Sequence, residues 1–129
     1  MINLAQAREL LPQAVATQGP DFVYNPSGLG VCQYEASDRD RNGNPYPLDL
    51  PQRVTGCLVG VALDLAGETR HHGQITSIAA VATAFPDMMT VGACKYFLVA
   101  QEWQDQGYTW GEALAAAERA AASSLSDAG

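Results

Sequence analysis

Apolar residues recur at helical spacing over most of the chain. Near the N-terminus, Asn3 and Gln6 have the three-residue separation of a helix N-cap and its reciprocal partner. The apolar positions that follow lie on one helical face and predict a first helix that ends ahead of Gly19 and Pro20. Pro12 falls inside this helix and removes one backbone donor, so we expect a kink or break there.

Two short runs of β-branched and aromatic residues predict a β-hairpin after the first helix. The runs are residues 22–24 and 31–34, and residues 25–30 have the Asn, Pro, Ser and Gly composition of a turn. The predicted fold class is therefore α+β: a mostly helical single domain, residues 1–122, with one N-terminal β-hairpin. Residues 123–129 are expected to form a flexible tail.

Three more helices are predicted between the hairpin and residue 107. The pair Asp49 and Gln52 resembles a capping pattern, and the apolar residues after it predict a helix that ends at Gly67. A shorter helix should run from about residue 75 to Pro86. Next, Thr90 can cap a helix whose apolar residues lie nearly all round its axis, which is typical of a central buried helix.

The last helix has the clearest start signal in the sequence. Gly107 should end the central helix, and Thr109 with Glu112 then forms a capping box. Trp103 and Trp110 flank this turn, and their helical spacing favours core packing over a role as a ligand platform.

Composition excludes several classes of protein. The 129 residues are 47% apolar and 16% charged, which suits one folded domain and argues against disorder. We expect no membrane-spanning segment and, because the N-terminus lacks a secretion signal, a cytoplasmic location. A net charge of -7 with Lys95 as the single lysine also disfavours nucleic acid as a partner. Residues 21–50 and 101–129 carry this negative charge.

One acidic loop resembles a calcium site. Asp38, Asp40, Asn42 and Asp49, with Gly43, match the spacing of an EF-hand loop. The eighth position is proline, the last ligand is aspartate instead of glutamate, and a strand is predicted where a helix should precede the loop. A solvated turn is therefore favoured, and calcium binding is the weaker alternative.

A cationic cluster lies between two predicted helices. Arg70, His71 and His72 could hold the phosphate or carboxylate of an anionic metabolite or nucleotide near a helix N-terminus. The alternative is an ordinary polar turn, because adjacent histidines without a carboxylate partner carry little specificity.

The three cysteines do not form a recognisable site. No Cys-x-x-Cys spacing supports a metal site, and Cys57 and Cys94 fall on apolar helical faces where free cysteine behaves as a small core residue. We expect free thiols. Cys32, on the predicted hairpin, is the candidate nucleophile if the chain is a cysteine-dependent enzyme.

Two segments, residues 57–63 and 100–114, resemble small uncharacterised proteins of actinobacteria and their phages. The alanine-rich composition, with six arginines to one lysine, fits the same group. The similarity covers roughly residues 22–118 and implies a phage or host accessory protein, with no activity or site attached.

The sequence contains no phosphate-binding loop and no known catalytic motif. We therefore expect a non-enzymatic protein without a cofactor: a small acidic interaction or regulatory protein that acts through protein contacts. A homodimer is one form of this hypothesis. The alternatives are the small-molecule protein with Arg70, His71 and His72 in its site, and the calcium-binding loop.

Overall fold

Five helices make up the described part of the chain. The computed structural model describes residues 1–24, 57–71 and 78–123. The helices are α1 (Leu4–Gln18), α2 (Leu58–Leu65), α3 (Ile78–Ala84), α4 (Val91–Asp105) and α5 (Trp110–Ser123). Within these residues, no helix is both long enough and apolar enough to cross a bilayer.

The prediction of an α+β fold is wrong, because the described residues are all-α. Residues 22–24, the first strand of the predicted hairpin, have no strand structure, and the second run, 31–34, lies outside the described residues. The β-type pairing found within the described ranges is one isolated parallel bridge between Ile2 and Met89. Its hydrogen bonds hold the N-terminus against the residues that precede α4.

The segment after α1 caps a helix instead of forming a strand. The backbone N–H of Trp110 donates to the carbonyl of Phe22 (2.9 Å), and that of Gly111 donates to the carbonyl of Pro20 (2.8 Å). These are the first two N–H groups of α5, which have no partner within the helix itself. The rings of Phe22 and Trp110 also pack edge to face, with centroids 4.8 Å apart. Contacts between distant parts of the chain therefore override the local β propensity.

Helix α1 begins and ends as predicted, but it is not broken at Pro12. The Gln6 N–H donates to Oδ1 of Asn3 (2.8 Å), and the Asn3 N–H donates to Oε1 of Gln6 (2.9 Å), which confirms the capping box. The helix runs to Gln18 without the predicted break, although Pro12 is inside it. Pro12 is solvent-exposed. Its ring therefore displaces no core side chain.

Helices α2 and α3 end as predicted, but α2 begins later than expected. Gly67 follows α2 with φ +80°, and the Glu68 N–H donates to the Leu63 carbonyl (3.0 Å), as in a Schellman-type helix end. Helix α3 ends just before Phe85 and Pro86.

Helix α2 begins at Leu58, and its N-cap Cys57 has extended backbone (φ -65°, ψ 165°), so the prediction of one helix from near Asp49 through Cys57 to Gly67 is wrong. The predicted start of α3, near residue 75, lies outside the described residues.

Helix α4 is the centre of the bundle, as its apolar pattern predicted. It packs against each of the other four helices. The Ala93 N–H donates to Oγ1 of Thr90 (3.2 Å), which confirms the predicted cap, and Gly107 follows the helix with φ +95°. Its largest core side chains are Tyr96 and Phe97, both fully buried.

Two buried glutamines of α4 hold the first N–H groups of α2 and α3. Oε1 of Gln104 accepts from the backbone N–H of Leu58 (2.7 Å), and Oε1 of Gln101 accepts from that of Ile78 (2.8 Å). Gln104 also accepts from Nε1 of Trp110 (3.2 Å). The central helix therefore supplies hydrogen-bond acceptors to three of its neighbours, in places where water has no access.

Candidate functional site

The turn after α2 places Arg70 between two carboxylates. Nε and Nη2 of Arg70 donate to Oε1 and Oε2 of Glu68, each at 3.0 Å, in a bidentate pair. Nη1 donates to Oδ1 of Asp87 at 2.8 Å. The guanidinium also lies over the ring of Phe85, 5.5 Å from its centroid. All three guanidinium nitrogens of Arg70 therefore have carboxylate partners.

These contacts change the acidity of the groups involved. Hydrogen bonds from the side chain and backbone of Arg70 lower the pKa of Glu68 from its ordinary 4.5 to about 2. The Arg70 side chain likewise lowers the pKa of Asp87, and the hydrogen bonds to Glu68 and Asp87 raise the pKa of Arg70. Both carboxylates are therefore ionised at neutral pH and together outweigh the single guanidinium charge.

His71 is buried and paired with an acid. Its ring has no solvent-exposed surface, and Nε2 lies 2.7 Å from Oδ1 of Asp64 on α2. A carboxylate can only accept, so Nε2 carries the proton in this pair. The ring therefore anchors the turn to α2. The next residue, His72, lies outside the described residues.

Of the predicted anion-binding cluster, the structure describes Arg70 and His71, and both contact acids. Arg70 and His71 come together on one turn, as the sequence predicted, but each contacts a carboxylate that an anionic ligand would have to displace. In this geometry, the ion pairs of Arg70 and His71 hold the turn after α2 to α2 itself and to Asp87, which follows α3. The ligand-binding role of Arg70, His71 and His72 stays a prediction.

The acidic partners of this turn were missed from sequence. Glu68 is two residues from Arg70, and Asp64 is seven residues from His71, so both were within reach of local reasoning. Spacing of i, i+7 brings two residues to the same face of a helix, and it indicates less when the second residue lies beyond the helix end. Asp87 is 17 residues away, and no local pattern connects it to Arg70.

The predicted calcium ligands Asp38, Asp40, Asn42 and Asp49 all lie outside the described residues. The calcium-loop hypothesis therefore stays a prediction. Across residues 1–24, 57–71 and 78–123, no group of three or more His, Cys, Asp or Glu side chains has a geometry that could hold a metal ion.

The expectation that all cysteines are free thiols is wrong. Cys57 is disulfide-bonded and fully buried at the N-cap of α2. Cys94, on α4, is a free thiol, and burial raises its pKa, which opposes formation of the reactive thiolate. Cys32, the candidate nucleophile, lies outside the described residues.

A second surface feature lies where α4 turns into α5. The rings of Trp103 and Tyr108 pack with centroids 4.5 Å apart, and the guanidinium of Arg119 lies over the Trp103 ring at 5.6 Å. Tyr108 keeps 40% of its surface exposed. The last turn of α4 and the first turn of α5 carry exposed acids. We call these residues together the aromatic–acidic surface: Glu102, Trp103, Asp105, Tyr108, Glu112 and Arg119.

Comparison with known proteins adds no relative to this picture. None of the protein-family models, curated proteins or solved structures with which the chain was compared matches it.

Proposed function

We propose that this chain is a small acidic interaction protein that binds a basic protein partner through the aromatic–acidic surface. The observation that carries the proposal is the exposed Tyr108 packed against Trp103, with the exposed acids Glu102, Asp105 and Glu112 within a few residues of the two rings along the chain. The expectation of a regulatory or accessory role, in a phage or its actinobacterial host, rests on the sequence resemblance alone.

The residue types on this surface favour a protein partner. Trp, Tyr and Arg are enriched among the residues that contribute most to binding at protein interfaces. Trp103 and Tyr108 already support each other, so little side-chain freedom remains to be lost when a partner covers them. A partner that buried the Tyr108 ring would gain apolar contact while its hydroxyl stayed at the rim.

The charges of this surface favour a basic partner. Glu102, Asp105 and Glu112 are exposed, and Arg119 is the cation stacked on Trp103. Elsewhere in the described part of the chain, Arg8 and Arg70 are used in ion pairs with Glu118, Glu68 and Asp87. Carboxylates without such a pair attract a positively charged surface over about 10 Å and accelerate its association.

A capture experiment with matched variants tests this proposal. The immobilised protein is exposed to an actinobacterial lysate at low and at physiological ionic strength, and retained proteins are identified by mass spectrometry. The test variants are Tyr108→Ala and the double charge reversal Glu102→Lys with Asp105→Lys. The controls are Val91→Ala, at an exposed apolar residue of α4, and Glu9→Lys, at an exposed acid of α1.

We expect a basic protein that is retained by the wild type and by both controls, and at least tenfold less by each test variant. Binding of the purified partner, measured by calorimetry, should weaken with added salt. Equal retention by all variants, or retention of no protein, would contradict the proposal. A complex made only of two copies of this chain, seen by light scattering, would favour the homodimer instead.

The cytoplasmic location expected from the sequence stays a prediction. The disulfide at Cys57 weighs against it, since reducing compartments keep most thiols reduced.

A further inference from the structure

The disulfide at Cys57 lies at a structurally sensitive point. Cys57 is the N-cap residue of α2, where its side chain makes no capping hydrogen bond, and it has no solvent-exposed surface. The neighbouring N–H of Leu58 is held by Gln104 of α4. A covalent bond at this residue therefore attaches whatever it joins directly to the helical core.

We propose that Cys57 is joined to Cys32 by a structural disulfide that ties the acidic segment of the chain to the N-terminus of α2. The sequence contains three cysteines, and Cys94 is a free thiol. An intramolecular bond at Cys57 can therefore use Cys32 alone. The acidic residues Asp38, Asp40 and Asp49 lie between the two cysteines in the sequence.

The oxidation needs an electron acceptor. Two thiols lose two protons and two electrons when the S–S bond forms, and a small-molecule disulfide accepts them and is released as two thiols. The reverse exchange requires a thiolate to reach one of the bonded sulfur atoms. Because Cys57 is fully buried, that attack is hindered on its side, which is typical of structural disulfides rather than labile ones.

The cross-link stabilises the fold mainly through the unfolded chain. It would close a loop of about 24 residues, 33–56, and so remove conformational freedom that the unfolded state otherwise keeps. For a domain of this size we expect the bond to raise the melting temperature by roughly 10 °C. It would also imply that the folded protein works in an oxidising compartment, contrary to the location expected from the sequence.

Mass spectrometry identifies the bond directly. The protein is equilibrated with a small-molecule disulfide and its thiol, unfolded, alkylated and digested with trypsin, which places the three cysteines on separate peptides: 9–39, 54–70 and 71–95. We expect one alkylated cysteine per chain before reduction, on peptide 71–95, and a linked pair of peptides 9–39 and 54–70. Three alkylated cysteines without reduction, or a bond between Cys57 residues of two chains, would overturn the proposal.

Melting temperatures with and without a phosphine reductant separate cross-linking from packing. The reductant is added to the unfolded protein and kept during refolding, so that it reaches the buried bond. It should lower the melting temperature of the wild type by roughly 10 °C and leave Cys32→Ala and Cys57→Ala unchanged. Cys94→Ala is the matched control and should keep the full response to reductant. A wild type that melts at the same temperature in both conditions, or a Cys32→Ala variant that still responds, would overturn the proposal.

Discussion

Gln104 shows how much a single buried polar side chain can do in a small helical protein. Its Oε1 accepts from Leu58 at the start of α2 and from the indole of Trp110 on α5, and its Nε2 donates to Oδ1 of Asp105 at 3.0 Å. Both donors are buried, so no water can replace the glutamine oxygen. Removing that oxygen would leave two donors without an acceptor.

We therefore predict that Gln104→Met destabilises the protein by about 3 kcal/mol, although methionine has nearly the same length and helix propensity. Urea denaturation measures the change in unfolding free energy. Gln13→Met, at an exposed position of α1, is the matched control and should change it by less than about 0.5 kcal/mol. Equal values for the two variants would show that the hydrogen bonds of Gln104 contribute little.

The side chain of Glu68 also contributes to the stability of the fold, and this contribution depends on pH. Its pKa is lowered to about 2 in the folded protein, against 4.5 ordinarily, because Arg70 binds the charged form. The stabilisation is therefore complete above pH 4.5 and is lost as the pH falls toward 2. The Glu68 side chain is 17% exposed and that of Arg70 is 37% exposed, so solvent screening limits the effect.

We predict that Glu68→Gln lowers the unfolding free energy by about 1 kcal/mol at neutral pH, and that the difference from wild type shrinks as the pH is lowered from about 5 toward 2. Urea titrations at several pH values measure this. Glu9→Gln, at an exposed acid of α1, should show no such convergence. A difference that stays constant across the range would mean that the ion pair with Arg70 is not responsible.

At the scale of elements, most helix ends were predictable, the start of α2 was not, and neither were long-range partners. The capping pairs at Asn3 and Thr109, and the glycine stop at Gly67, use residues only a few positions apart, so their sequence pattern determines their geometry. Residues 22–24 have the composition of a strand, yet their position depends on α5, about 90 residues later. Pro12 does not break α1, which is continuous from Leu4 to Gln18 and packs against α2, α4 and α5.

In the candidate site, too, contacts between neighbouring residues were predictable and contacts with distant residues were not. The sequence brought Arg70 and His71 together because they are adjacent, but it left their charge environment open. The acids that determine this environment come from α2, from the turn itself and from the residues after α3. A cationic cluster in the sequence is therefore an anion-binding site only if the fold leaves its donors available.

Helix α5 approaches the segment after α1 closely at Gly111. The sign of the change in unfolding free energy on Gly111→Ala should therefore show whether this contact is tight. A methyl group on Gly111 would lie 2.9 Å from both the Cβ and the carbonyl oxygen of Pro20. Backbone at that distance cannot move aside easily, so we expect Gly111→Ala to lower the unfolding free energy by about 2 kcal/mol. Without the clash, the same change within a helix would raise it by about 1 kcal/mol.

Chemical denaturation followed by circular dichroism measures the effect of Gly111→Ala. Ala115→Gly, at an exposed position of the same helix, calibrates helix propensity and should cost about 1 kcal/mol. Stabilisation by Gly111→Ala would show that α5 can move away from Pro20 at little cost.

At the scale of the whole molecule, α4 makes the described helices one cooperative unit. Because α4 is the neighbour of all the others, loss of its packing should loosen every helix at once. Positive and negative side chains have different places in the described structure. Arg8 and Arg70 join separate elements through ion pairs, and the acids of the aromatic–acidic surface face solvent. Because Arg8 and Arg70 are used within the fold, the exposed carboxylates Glu102, Asp105 and Glu112 are available to a partner.

We predict that Phe97→Ala lowers the unfolding free energy by about 4 kcal/mol, since the ring is fully buried on the central helix. Tryptophan fluorescence and far-ultraviolet circular dichroism should give coincident urea transitions in the variant and in the wild type. Leu65→Ala, an exposed apolar residue at the end of α2, is the control and should change stability by less than about 0.5 kcal/mol. Transitions that separate would identify α4 as a link between independent units.

The paired glutamines of α4 also bear on how such a protein can diverge over generations. The first N–H groups of α2 and α3 are held from the far side of the bundle by Gln104 and Gln101, so the residues just before these helices need not supply a capping side chain. Selection should therefore retain the two glutamines together in descendants of this chain. Apart from Cys57, which carries the disulfide, the residues that lead into α2 and α3 are correspondingly free to change and to acquire new binding partners.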